Sequence, residues 1–430
     1  MRLTNLTACL AVSFLALHGA GCADRAEYLA DGTVVRDSAG ITIVRNPDAG
    51  TATFWRLSEE PILEIGGTPD GPDGSPHRFI DAVRLADGRI AAAATGVAEI
   101  MLFDPEGRRL GSLGRYGLQW GQFQQIANLF ALADGSVAGF DTRSLRFEVF
   151  DSAGHLIRSN ELDIPYDLVP LRLRPLADGD LLLVTERAGR EPGPGGILRA
   201  QMPYLLLNPR GVLQDTIATF PGEAWVRDGG TFAQLPFGPS TEVAIHGSEF
   251  FVSRGEHYQF EVYDKTGQLQ RLIGVARAPR PVTRQDRDAY RDEILSGFAE
   301  PELPTEALAP DILAVLGEAE VRALLEEFRT QQAATRMALE ESLARTVFPE
   351  RLPAFAALLA DPAGNIWAER FRTASALASD WDIFDARGFL VATAQLPAPF
   401  RPFQIGQDFV LGRWRDTSDR DRLRMYRLQR

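Results

Sequence analysis

The sequence predicts an all-β chain of repeated four-stranded antiparallel units, interrupted by one helical insertion. Three observations predict it. Residues 147–156 read FEVFDSAGHL and residues 260–269 read FEVYDKTGQL, a near-duplication more than a hundred residues apart. A short Gly turn between two apolar runs stands upstream of each copy of that motif. One stretch, 276–352, has its apolar residues at helical rather than alternating spacing.

The duplicated motif recurs. FDPEG (103–107), FDSAG (150–154), LNPRG (207–211), YDKTG (263–267) and FDARG (384–388) are followed by Leu110, Leu156, Leu213, Leu269 and Leu390. A sixth copy, DSAG (37–40), stands alone near the N-terminus. Phe147 and Val149 alternate ahead of the Asp151 turn, as in a half-buried strand. Asp or Asn at the turn start bonds its own backbone two residues on, and the Gly takes a positive φ. A second strand follows, so each copy reads as a hairpin.

The upstream turns are Asp87-Gly88, Asp134-Gly135, Asp178-Gly179, His246-Gly247 and Ala363-Gly364. Asp-Gly is a strong short-hairpin signal. One unit therefore reads strand, tight turn, strand, loop, strand, Asp-x-x-Gly turn, strand. Four antiparallel strands at a period of about 45 residues is a propeller-blade pattern. The end of the chain, 405–428, reads as strands without a closing Asp-x-x-Gly turn. The lone N-terminal copy and the strand-like TFWRLSEEPILEIGG (53–67) are the expected source of the missing part. Five full blades and one composite blade shared by both ends make a six-bladed β-propeller over 37–428, with no exposed closing edge. A degenerate seventh blade within 214–240 is the alternative.

The stretch GRYGLQWGQF (114–123), followed by Asp134-Gly135, Asp141 and RFEVFDSAG (146–154), resembles the NHL-like six-bladed β-propellers. VVRDSAGITIVRN, GRYGLQWGQF and FRPFQIGQDFVLGRW further resemble a bacterial group of secreted or lipid-anchored six-bladed propellers. That resemblance implies a fold and an envelope location and implies no settled activity.

The insertion falls between blades. Thr283 with Asp286 forms a capping box for a helix to about Gly297. Pro301 and Pro304 interrupt the pattern, and 311–316 is a short helical turn. Val321, Leu324, Leu325 and Phe328, then Leu339, Leu343 and Val347, continue at helical spacing until Pro349. The expectation is a helical hairpin laying its apolar stripe on the rim, the alternative a lid over the central channel. By strand order, both kinds of tight turn share one face. The segments 187–201, 220–240, 370–380 and 276–352 are read as loops and inserts on the other, where binding tends to live.

The first residues, MRLTNLTACLAVSFLALHGAGC, place Arg2 before an apolar run from Leu6 to Leu17 and small residues before Cys22. This resembles a bacterial lipoprotein signal. It implies cleavage after residue 21, lipid attachment at Cys22, a tether over 22–36, and membrane anchoring facing the periplasm or exterior. The chain has only two cysteines, Cys9 and Cys22, so its body has neither disulfides nor cysteine metal sites. The net charge of −13 opposes a nucleic-acid partner.

No P-loop, dinucleotide or G-x-S-x-G pattern is present. His77 and His257 are the only histidines outside the signal on the long-loop face, and their spacing fits no zinc motif. Asp70-Gly71-Pro72-Asp73-Gly74 lacks calcium-loop spacing and reads as a turn. Neither metal nor cofactor is expected. Positions after the second strand of each unit form the candidate site: Arg143, Arg187, Arg254, Arg370 and Arg413-Trp414, with Arg115, Trp120, His257 and Tyr258 nearby. An Arg and aromatic ring suits carboxylate, phosphate or sugar ligands. The structural alternative is Arg–Glu pairing across neighbouring blades. The expected function is a non-catalytic binding or scaffold module of the cell envelope, with a protein, peptide or glycan on the long-loop face. The alternative is a lyase or hydrolase holding a divalent ion with Asp141, Glu186 and Glu369.

Overall fold

The computed structural model describes residues 26–48, 52–66, 78–192, 196–228, 231–297, 310–373, 376–416 and 420–430. The signal, Cys22, His77 and the 70–74 turn lie outside the described residues. Among the described residues the fold is all-β with two helices, α1 (Arg284–Gly297) and α2 (Pro310–Arg345). No helix among the described residues is long and apolar enough to cross a membrane.

The strands form antiparallel meanders in chain order. Unit 1 is Arg78–Arg84, Ile90–Thr95, Val97–Phe103 and Arg109–Leu113. Unit 2 is Ile126–Ala131, Val137–Asp141, Arg146–Phe150 and Leu156–Glu161. Unit 3 is Leu168–Pro175, Leu181–Pro192, Leu198–Leu207 and Leu213–Asp228, with Thr231–Gln234 added outside. Unit 4 is Glu242–His246, Glu249–Ser253, Gln259–Tyr263 and Leu269–Val275. Unit 5 is Phe355–Ala360, Ile366–Arg370, Ala378–Phe384 and Leu390–Pro397. Unit 6 is Phe400–Ile405, Phe409–Arg415 and Asp421–Gln429, completed by Leu63–Ile65 from the other end of the chain.

The turns form as their chemistry requires. Asp151 Oδ1 accepts the N–H groups of Ala153 (2.9 Å) and His155 (2.8 Å), and Gly154 has φ 90°. Asp104, Asn208, Asp264 and Asp385 make the same pair of bonds. The upstream Asp-Gly turns join their strands in short hairpins. Gly88 N–H bonds Leu85 C=O and Leu85 N–H bonds Arg89 C=O, so the turn spans four residues and Gly is its last.

The core lies between units rather than within them. Val83, Ala91 and Ile100 of unit 1 pack on Phe123, Leu129 and Val137 at the face of unit 2. The same happens between units 2 and 3, 3 and 4, 4 and 5, and 5 and 6. Phe409, Leu411 and Met425 of unit 6 then pack on Phe79, Ile90 and Met101 of unit 1, with Leu63 and Ile65 between them. Core clusters thus link each strand group to the next and the last to the first, while Thr53–Leu57 also joins the strands of units 5 and 6 in one nine-stranded sheet; this is an all-β, propeller-type packing.

Several segments depart from expectation. The 37–40 copy makes a hairpin, Val34–Ser38 with Ile41–Asn46, that docks parallel to Leu269–Val275 on the outside of unit 4. Only 53–67 serves the closing region: Thr53–Leu57 bridges units 5 and 6, and Leu63–Ile65 fills unit 6. Part of the expected tether is strand, Ala26–Tyr28 pairing with Val34–Arg36. Segments 187–201 and 220–240 are largely strand extensions of unit 3 rather than loops or a further unit. Residues 311–316 belong to the continuous helix α2. Of its described apolar residues Leu324, Phe328 and Met337 are exposed, Leu339 is half-buried and Leu343 is buried, so the described part of that stripe packs only toward its C-terminal end.

Candidate functional site

The first strands of the units surround a central cavity of about 680 Å³. Ile80, Asp81, Ala127, Asn128 and Glu242 of its wall come from the starting halves of those strands, and Arg172, Arg174, Leu358 and Leu359 from the later halves. Five of the first strands carry a β-bulge: at 79–81, 126–128, 170–172, 355–357 and 402–404. A bulge sets two residues against one, and so re-aims side chains. Ile80, Asp81, Ala127, Asn128, Arg172 and Ala357 reach the cavity at or beside these positions.

The bulge residues also tie neighbouring units. Asp81 Oδ2 accepts Leu129 N–H at 2.9 Å. Asn128 bonds both the N–H and the C=O of Leu173, at 3.0 and 2.9 Å. Gln404 accepts Arg84 N–H at 2.7 Å. Arg174 donates to Leu129 C=O (3.1 Å) and lies 3.8 Å from Asp81. Burial raises the Asp81 carboxyl above its usual range and lowers the Arg174 guanidinium to about 10, each against the pull of the other.

Helix α1 borders the mouth, where Tyr290 and Glu293 line the cavity with Phe237. The Thr283–Asp286 capping box forms: Asp286 N–H donates to Thr283 Oγ1 at 3.2 Å and Thr283 N–H to Asp286 Oδ2 at 2.9 Å. Arg280 forks onto the same carboxylate at 3.1 and 2.9 Å. Despite burial, these bonds hold Asp286 at about 2. Phe237 packs on Tyr290, Phe348 and Phe371 with ring centroids 5.6, 5.6 and 6.0 Å away. Phe237 has φ 57°, a strained conformation for a bulky residue beside a site.

Within the cavity, charges divide into paired and unpaired. Glu369 accepts Ser379 Oγ at 2.7 Å and lies 3.6 Å from Arg372. Arg413 donates to Phe79 C=O and lies 3.8 Å from Asp421. Arg172 and Arg401 have neither a hydrogen bond nor an ion pair among the described residues, although both lower the pKa of Glu242. Glu242 itself accepts only Ser240 Oγ, at 3.0 Å, and burial dominates to hold its carboxyl above the ordinary range. Sequence reasoning missed Arg172, Arg401 and Glu242. The available signal was a charged residue in a first strand, as in LRLRP (171–175), EVAI (242–245) and FRPF (400–403).

Of the expected ring and its carboxylates, Arg413 and Glu369 reach this cavity. Arg187 pairs with Asp167 at 2.7 Å, Arg254 forks onto Glu261 at 3.2 and 2.8 Å, and Arg370 forks onto Asp382 at 3.0 and 2.5 Å. These partners belong to the same unit as each arginine or, for Asp167, lie just ahead of its first strand, rather than in neighbouring units. Asp382 additionally takes Arg277 at 2.7 Å, and Arg277 stacks on Tyr258. Trp414 lies under the Arg424 guanidinium, 4.0 Å from the ring centroid. Arg115, Trp120, Arg143 and His257 are exposed. Trp120 stands on a loop whose carbonyls at Leu118 and Gln119 are held by buried Arg146.

Asp141 is fully buried and accepts the N–H groups of Gln124, Gln125, Arg143 and Ser144, so it organises two loops. Glu186 is partly buried and does not line the cavity. Among the described residues, no three His, Cys, Asp or Glu side chains gather where a metal ion could be held.

No protein-family model matches the chain, and no curated protein matches it. Solved structures resemble it at low identity. A putative exported protein from Bacteroides fragilis is 10% identical over 90% of this chain and 99% of its own, with a TM-score of 0.46. A DUF4221-family member from Bacteroides vulgatus is 9% identical over 87% of this chain and 98% of its own, with a TM-score of 0.47. Virginiamycin B lyase from Staphylococcus aureus is 9% identical over 87% of this chain and 99% of its own, with a TM-score of 0.39.

Proposed function

We propose that the chain is an NHL-like six-bladed β-propeller of the bacterial cell envelope, lipid-anchored through Cys22, working as a non-catalytic binding module. Its ligand sits in the central cavity at the long-segment face. The six-blade reading is supported by the closed cycle of core clusters and by Leu63–Ile65 completing the last unit. The observation that carries the binding reading is the cavity itself: about 680 Å³, bordered at its mouth by α1, with Arg172 and Arg401 unpaired. Pockets of this size suit small ligands, and convergent polar groups supply their specificity. Of the other cavity arginines, Arg174, Arg372 and Arg413 lie beside Asp81, Glu369 and Asp421, whereas Arg172 and Arg401 are exposed to the cavity without an ion pair among the described residues.

The test is a thermal-shift screen against glycans, short peptides, amino acids, calcium and zinc, with EDTA controls. A ligand that binds the native state raises the melting point by mass action. The expected outcome is a shift with a polar organic ligand that Arg172→Ala removes. A shift with a divalent ion, reversed by EDTA and removed by Glu369→Gln, would instead support the lyase or hydrolase reading. Silence across the panel would overturn the cavity as the binding site and turn attention to a protein partner on the rim.

A further inference from the structure

Resting on that binding reading, we infer that the cavity takes a zwitterion of the amino-acid or short-peptide class, its carboxylate at Arg172 and Arg401 and its ammonium at Glu242 and Glu293.

Four charged side chains of the cavity lack an ion-pair partner among the described residues: Arg172, Arg401, Glu242 and Glu293. They are two cations and two anions, so the lining asks for both signs in one ligand. Every other charged group lining the cavity is within 4.0 Å of an opposite charge. Arg172, Arg401 and Glu293 are exposed to solvent at the cavity wall and Glu242 is half-buried, so each can meet a charged ligand without breaking an existing ion pair.

The arrangement is consistent with one small molecule. Arg172 of unit 3, Glu242 of unit 4 and Arg401 of unit 6 line the same cavity. Guanidinium forks match a carboxylate's planar oxygens. Glu242 follows Phe237 closely in the chain, and Phe237 packs on Tyr290 of α1. Glu293 lies three residues beyond Tyr290 and therefore on the same helix face. The two carboxylates thus flank the mouth, one on the wall and one on the helix. Ala356, Ala357 and Leu358 form an apolar wall for a side chain.

The test is calorimetric titration of the whole chain with the twenty amino acids and with alanine di- to tetrapeptides. The best binder is then compared with its Nα-acetyl and carboxamide forms. Both modified forms should bind at least about ten-fold more weakly, the loss of one charge-assisted contact. Arg172→Ala and Arg401→Ala should each cost the zwitterion about ten-fold and leave the carboxamide form unchanged. Glu293→Gln, on an exposed helix position, should weaken the zwitterion without altering the melting point of the free protein. Equal binding of either modified form overturns the inference. Binding of a neutral glycan in the same cavity, abolished by Arg172→Ala while no zwitterion binds, overturns the inference and leaves the binding reading standing. Absence of any cavity-dependent ligand overturns both.

Discussion

Asn128 of unit 2 clasps the backbone of Leu173 in unit 3, accepting its N–H at 3.0 Å and donating to its C=O at 2.9 Å. This fully buried side chain acts as the missing ladder between two first strands that do not otherwise pair. Asn128→Leu leaves both Leu173 groups without it. The expected cost is about 2–4 kcal/mol, since each unmet buried group costs on the order of 1–3 kcal/mol. Chemical denaturation measures it, and a cost below about 0.5 kcal/mol would mean that water replaces the clasp.

The last strand group is completed by a strand from the opposite end of the chain. Leu63 and Ile65 are buried between units 6 and 1. Leu63→Ala should destabilise by about 2–5 kcal/mol, the range for a buried leucine. Val35→Ala, in the half-buried outer hairpin, should cost less than half as much. Equal losses would show that Leu63–Ile65 adds an edge and closes nothing.

Gly154 ends its turn at φ 90°, and a Cβ there would lie 3.1 Å from Leu113 Cδ2. Gly154→Val forces a β-branched residue into the left-handed region, at about 1–3 kcal/mol. The melting point should fall. An unchanged melting point would refute the positive φ.

Asp286 caps α1 with its carboxyl held at about 2, below the ordinary 3.8. A depressed acid adds stability that is full above the unfolded value and is lost as pH falls through the folded one. Asp286→Asn should therefore weaken α1 at pH 7, read as faster amide exchange over 284–297. The difference from the parent chain should shrink between pH 4 and pH 2. A difference that does not change with pH would assign the effect to shape alone.

Glu242 predicts the opposite sign. Its carboxyl is held above 4.5 by burial, against the pull of Ser240, Arg172 and Arg401, and with Glu369 pushing the same way. A raised acid costs stability once pH exceeds the unfolded value. Glu242→Gln should stabilise the free protein at pH 7, with the gain vanishing below about pH 4.5. It should nevertheless weaken zwitterion binding. A variant that is less stable at pH 7 would mean that Glu242 is ionised and satisfied.

Much of this architecture is legible from the chain alone. The Asp-x-x-Gly turns determine their own geometry, because a carboxylate reaching two backbone N–H groups and a Gly at positive φ are local facts. Thr283 and Asp286 determine the start of α1 for the same reason, all partners lying within one helical turn. Strand alternation implies one apolar face per sheet; that strands such as Val137–Asp141 and Arg146–Phe150 are buried on both faces is an outcome of the tertiary packing. The sequence did not disclose which unit the 37–40 hairpin joins, nor that Arg172, Arg401 and Glu242 meet. Those depend on parallel docking against Leu269–Val275 and on bulges that turn side chains inward, outcomes of contacts between residues far apart in sequence. The expected arginine ring follows second strands, whose ends find carboxylates close by in the same unit. First strands face a shared cavity instead, and only the closed tertiary structure brings their unpaired charges together.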